Sequence, residues 1–110
     1  MPPAGRLPIL ERTKTAYALW VSYLEKIPKI HRYTLGARID QLWIEMIEAM
    51  ASAGFLARHE KLPYVRLAIR KLDTIKVLML VLWETKSLDN KKYIVLSEKL
   101  DEMGRMLGGW

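Results

Sequence analysis

Residues Leu72 to Trp83 read L-D-T-I-K-V-L-M-L-V-L-W, and this stretch decides the fold. Leu72, Ile75, Met79 and Leu82 recur at alternating spacings of three and four, the period of an apolar stripe on one face of an α-helix. One stripe is all that a helix on the surface of a bundle needs. Here Val77, Leu78, Leu80, Val81 and Trp83 are apolar as well, so every face of the segment is greasy. The run from Val77 to Trp83 is far too short to cross a bilayer, which takes about 20 apolar residues. The segment therefore belongs to a helix buried on several sides in water. One small bundle is unlikely to cover it all, so the reading predicts self-association through Val77, Leu80, Val81 and Trp83, with Trp110 at the chain's end as a further contact. The alternative is a central helix wrapped entirely by its own neighbours.

Working outward, apolar stripes at the same spacing recur three more times. Leu10, Thr13, Tyr17, Trp20, Leu24 and Ile27 mark a first helix over about 9–26, begun at Pro8 and closed ahead of Pro28. Leu35, Ile39, Leu42, Met46, Ala49 and Ala53 mark a second over about 31–53, widened by Trp43, Ile47 and Met50. Its polar stripe is Arg38, Gln41, Glu45, Glu48 and Ser52. Gly36 is a mild weakness there or a point of close helix approach, and Gly54 is placed to cap the helix in a left-handed conformation with Phe55 packing behind it. A loop over 56–61 leads to Pro63, expected to begin the third helix, 63–86. Asp89 is the expected N-cap of a fourth helix, 89–107, whose inner stripe is Tyr93, Leu96, Leu100, Met103 and Leu107 and which Gly108 and Gly109 stop. No strand pattern or repeat interrupts the series. The chain of 110 residues reads as one all-α domain, 1–110: an antiparallel up-down-up-down four-helix bundle that assembles into a homo-oligomer.

Composition narrows the function. The chain has no cysteine, which removes disulfides, thiolate nucleophiles and Cys-ligated zinc. Its two histidines, His31 and His59, fall at opposite ends of the proposed bundle, and no Glu-x-x-His pair exists for a di-iron site. Phosphate-binding glycine loops and nucleophile elbows are lacking too, so neither a catalytic residue nor a cofactor nor a metal is expected. The opening M-P-P-A-G-R-L-P has no apolar secretory core, making a cytoplasmic location the default. Trp20 and Trp43 fall at core-leaning positions, which argues against a membrane-surface face.

The formal net charge is +6. Such a balance fits a polyanion partner, RNA or DNA held through its phosphate backbone, and equally a bundle with lysine-rich solvated faces. Arg66 and Arg70 lie one turn apart on the third helix, followed on that face by Asp73, with Lys71 and Lys76 beside them. Lys76 stands inside the greasy run, so its ammonium must reach water or an anion. Arg105 lies near the end of the fourth helix. These five, Arg66, Arg70, Lys71, Lys76 and Arg105, are the candidate nucleic-acid contacts.

The ending L-S-E-K-L-D-E-M-G-R-M-L-G-G-W, Leu96 to Trp110, resembles that of the accessory variability determinant (Avd) proteins of diversity-generating retroelements. R-Y-T-L-G at Arg32–Gly36 and S-L-D-N-K-K-Y at Ser87–Tyr93 are similar to the same group and to the broader four-helix-bundle family, which includes the intervening-sequence proteins of bacterial ribosomal RNA genes. The resemblance runs from Leu7 onward. It implies a barrel-like homopentamer with a basic surface, binding template RNA and a reverse transcriptase to support mutagenic cDNA synthesis, with no catalytic residues of its own. It places Lys76 at a family basic position and Arg105 within the G-R-x-L-G motif, while Leu80 is apolar where a second basic residue would strengthen the site. The alternative within the same resemblance is a self-assembling bundle of the intervening-sequence type with no polymerase partner.

Overall fold

The computed structural model describes residues 8–110; Met1–Leu7, which carry most of the segment read as lacking a secretory core, lie outside them. Helix α1 spans Pro8–Leu24. A turn of helix at Lys29–His31 and a π-helical segment at Arg32–Gly36 lead into α2, Ala37–Gly54. Helix α3 spans Arg58–Glu84 and α4 spans Asn90–Gly108. Each helix packs on its neighbours in a closed square, α1 on α2 and α4, and α3 on α2 and α4. The described chain is therefore an all-helical, four-helix up-and-down arrangement measuring 43 × 20 × 20 Å. At about 1.5 Å per residue, the 27 residues of α3 run almost the whole length.

The apolar stripes converge on one core. Trp20 of α1, Ile39, Trp43 and Met46 of α2, Leu72, Ile75 and Met79 of α3, and Leu96, Leu100 and Met103 of α4 are all buried there. Two polar groups tie α2 to α1. The Tyr17 hydroxyl donates to Asp40 Oδ1 at 2.9 Å, and Trp20 Nε1 donates to the same oxygen at 3.2 Å. Trp43 Nε1 is buried without a hydrogen-bond partner, whereas the buried Thr13 hydroxyl donates to the Ile9 carbonyl at 2.8 Å. Arg12 pairs with Glu102 across α1 and α4.

Five local expectations need correction, and one alternative is decided. The second helix is not uniform from residue 31: its first turns are π-helical. A Cβ on Gly36 would come 2.8 Å from Leu24 Cδ1 and 3.3 Å from the His31 carbonyl oxygen, so Gly36 marks a close approach of α1's end. Gly54 is no left-handed cap: it is the last helical residue, Phe55 follows in the right-handed region, and Phe55 is exposed instead of packing behind the helix. The third helix starts at Arg58, putting Pro63 inside it. Proline there removes one hydrogen bond, to the His59 carbonyl in the exposed first turn, where water can replace it. Lys61 stacks its ammonium 4.8 Å from the Trp110 ring centre, holding that extra turn against the chain's end. The fourth helix extends to Gly108, and Gly109 closes it with φ −93°, right-handed.

The third helix ends at Glu84, two residues before the expected Lys86, in a way the sequence did not announce. The Lys86 amide bonds the Trp83 carbonyl at 3.0 Å and the Ser87 amide bonds the Leu82 carbonyl at 2.8 Å, the Schellman pattern. Its left-handed position, usually glycine, is occupied by Lys86 at φ 66°. Three residues on, Asp89 caps α4 as expected, accepting from the Lys92 amide at 2.9 Å. That amide holds the Asp89 carboxyl below its ordinary range.

Two outcomes follow from these contacts. Lys86→Gly relieves the left-handed side-chain clash and raises unfolding free energy by about 0.5–1 kcal/mol, read as a higher urea midpoint at unchanged slope. Burial, then the bond to Asp40, pushes the Tyr17 phenol from 10.0 up to about 12. Between those values the unfolded chain gives up the Tyr17 proton while the folded chain retains it, so this group's contribution to stability is full below pH 10 and is lost as pH rises through 12. Tyr17→Phe therefore flattens the alkaline fall of the urea midpoint relative to the unmodified protein.

Candidate nucleic-acid and assembly surfaces

A helix with a core stripe at 65, 68, 72, 75, 79 and 82 turns everything near 66, 70, 77 and 81 the opposite way. Arg66 and Arg70 are accordingly exposed on the outer face of α3, with Asp73 a turn further on. The same face continues into Val77, 58% exposed, and Leu80, 38% exposed, with Val81 half-buried beside them. Arginines therefore occupy the outer face near the helix start, and aliphatic groups occupy it near the end. Among the described residues the core stripe is covered and this outer face is not, so they do not wrap the greasy helix on all sides.

The two lysines lie on the flanks. Lys71 faces α2, its Nζ 3.0 Å from Glu45 Oε1, an oxygen with no other partner. That ammonium first, and Gln41 second through its bond to Oε2 at 3.4 Å, hold the Glu45 carboxyl below the usual carboxylate range. Lys76 faces α4, where its Nζ lies 2.8 Å from Asp101 Oδ1. Lys76 thus meets a carboxylate of its own chain, an answer to its placement in the apolar run that needs no external phosphate. Arg105 is exposed on α4, next to Gly104, whose Cβ position would lie 3.3 Å from Leu72 of α3.

The structure thus brings Arg66 and Arg70 together on one face, sends Lys71 and Lys76 to opposite flanks, and sets Arg105 on a different helix. The apolar candidates also divide. Trp83 stacks on Tyr93 of α4, ring centres 5.1 Å apart and planes 17° apart, which covers part of it. Trp110 lies at the far end of the bundle, by Lys61 near the start of α3. Val77, Leu80, Val81 and Trp83 form one region; Trp110 does not join it.

A further charged region went unread. At the end of the bundle where α1 turns into α2 and α3 into α4, an open cleft of ≈ 220 Å³ is lined by both links, including Lys26, Lys86 and Lys92. In sequence these lysines are 60 and 66 residues apart and look like ordinary helix-end charges; the up-and-down topology alone makes them neighbours.

Among the described residues no group of three or more His, Asp or Glu side chains could hold a metal ion, and no helix is long and apolar enough to cross a membrane. No protein-family model, curated protein or solved structure matches the chain.

The Lys76–Asp101 pair, half-exposed on both sides, is worth little on its own. A double-mutant cycle with Lys76→Ala and Asp101→Ala gives a coupling below about 1 kcal/mol that shrinks further in 0.5 M salt.

Proposed function

We propose that this protein is a non-enzymatic accessory factor that self-assembles through the outer face of α3 and holds nucleic acid by its phosphate backbone. The observation that carries the proposal is that one face holds both: exposed Arg66 and Arg70 near its start and exposed Val77 and Leu80 toward its end, with Asp73 between them. Joining copies through the aliphatic half removes surface that water disfavours and gathers the arginines of several chains around one ligand. Multiplying modest sites in this way strengthens binding to a polymer without any new contact. The Avd-like segments at Arg32–Gly36, Ser87–Tyr93 and Leu96–Trp110 support the more specific form: a barrel-like homopentamer that binds template RNA and a reverse transcriptase during mutagenic cDNA synthesis. Arg66 and Arg70 are then the direct contacts and Arg105 adds to the surrounding positive field, while Lys71 and Lys76 are offset by Glu45 and Asp101.

Light scattering tests the assembly. The expected mass is several times the 12.8 kDa of one chain, falling to that of a single chain in Val77→Glu/Leu80→Glu. A monomeric unmodified protein would falsify the proposal at its first step. RNA affinity measured against salt tests the second step: each phosphate contact on a single strand contributes about −0.7 to the log–log slope, so Arg66→Ala/Arg70→Ala in each chain makes the slope shallower. A salt-independent affinity rules out backbone binding.

A further inference from the structure

The cleft between the two helix links is lined by more cationic than anionic side chains. Its lining includes Tyr23, Lys26, Lys86, Ser87, Asp89 and Lys92. Three ammonium groups and one carboxylate make a local charge of +2. The carboxylate is already committed: Asp89 Oδ1 accepts from the Lys92 amide at 2.9 Å, and Oδ2 lies 3.2 Å from Lys92 Nζ. Lys92 also sits 5.7 Å from the centre of the Tyr23 ring. Lys26 and Lys86 have no carboxylate within 4.0 Å among the described residues, so their charge remains available.

The backbone adds a second argument. Lys86 occupies the left-handed position of the Schellman turn at φ 66°. Glycine is free of strain there and lysine is not. The turn that carries Lys86 lines the same cleft as Lys26. The surrounding frame is pinned as well. His31 Nδ1 and Ser87 Oγ are 2.5 Å apart, joining one link to the other. Arg32 donates to the Ile27 and Glu25 carbonyls, each at 3.0 Å, fixing the segment that bears Lys26. A seat whose walls are set before the ligand arrives loses less on binding.

We infer that this cleft binds a phosphoryl group, with Lys26 and Lys86 as its direct partners and Lys92 completing the field. The site goes beyond the α3 face argued above and does not require it, because a small phosphate compound would occupy the cleft of a single chain. The phosphoryl group can come from an internal phosphodiester of RNA, from a 5′-terminal phosphate, or from a free anion.

The test is a backbone-amide NMR titration of the full chain with inorganic pyrophosphate at constant ionic strength. Saturable shifts are expected at residues 23–27 and 86–92, with affinity about tenfold or more weaker in Lys26→Ala/Lys86→Gly, a variant whose turn is relieved and which stays folded. Lys26→Ala/Lys86→Gln, which keeps a side chain at the left-handed position, loses the same affinity if charge is the cause. Shifts centred on Arg66 and Arg70, or equal affinity in the variants, overturn the inference. Two RNA oligomers of one sequence, with and without a 5′-phosphate, separate the sources. Equal loss for both in the variants assigns an internal phosphodiester, and loss for the phosphorylated one alone assigns the terminus. Pyrophosphate binding in the cleft with no RNA binding at all leaves this site standing and removes the α3 reading. RNA binding that ignores Lys26 and Lys86, with no pyrophosphate effect, does the reverse.

Discussion

A helix in a square bundle can turn only part of its circumference inward, and α3 has more apolar circumference than that. Val65, Ala68, Leu72, Ile75, Met79 and Leu82 fill the inward share and are buried. The flanks are then sealed by polar means: Lys71 reaches Glu45 on α2, and Lys76 reaches Asp101 on α4. What remains is the outward face, which no helix among the described residues covers. Its second half stays aliphatic, and this leftover surface is the physical source of the assembly argument. Burying it against other copies is favourable in proportion to apolar area. Leaving it in water is tolerable for a patch of a few residues, so covering it is no condition of folding.

What was legible in the sequence is what short-range physics decides. The spacing of apolar residues placed Trp20 and Trp43 inside, and both are fully buried. Asp89 was recognisable as a cap because a carboxylate one residue before a helix has few other uses there. The misread points all depend on a choice among local options that distant contacts settle. Gly54 could have turned left-handed, but the link to α3 leaves through an ordinary right-handed Phe55. Pro63 looked like a first residue, yet Lys61 has Trp110 to rest against, and the helix gains a turn ahead of the proline. Lys86 gave no warning at all, because nothing in a lysine favours the left-handed region; Leu88 buried immediately beyond it shows that the chain must turn sharply at that point.

The charged residues were harder still, since a lysine's identity says nothing about its partner. Lys71 and Lys76 were read as flanking Arg66 and Arg70, with Lys76 in need of water or an anion, but their carboxylate partners emerge only when α2 and α4 are laid alongside. The reverse holds at the helix links. Lys26 and Lys86 follow the ends of two different helices, where a cation is ordinarily explained by the partial negative charge of the last carbonyls. At α1 that explanation is weakened by the link's own backbone, whose Glu25, Lys26 and Ile27 amides donate to the Val21, Tyr23 and Leu24 carbonyls. At α3 it is weakened by the Schellman bonds, which satisfy the Leu82 and Trp83 carbonyls. With the helix ends provided for, the two ammonium groups have no internal task left.

The two positive regions differ in how they depend on the assembly. Arg66 and Arg70 are exposed on the face of the proposed assembly, so under that proposal their geometry toward a ligand would be set by how the chains join. The cleft of Lys26, Lys86 and Lys92 is complete within one chain and is held by bonds between its own links. A polymer that touched both would bridge an end and a side of the same bundle. On a bundle 43 Å long and 20 Å wide, such a path is spanned by a modest number of extended nucleotides. Assembly would then repeat the path from chain to chain, and the strand's direction would be fixed by which region it meets first. A basic surface made only of scattered lysines could not impose that polarity; a seat with defined walls at one end of each copy can.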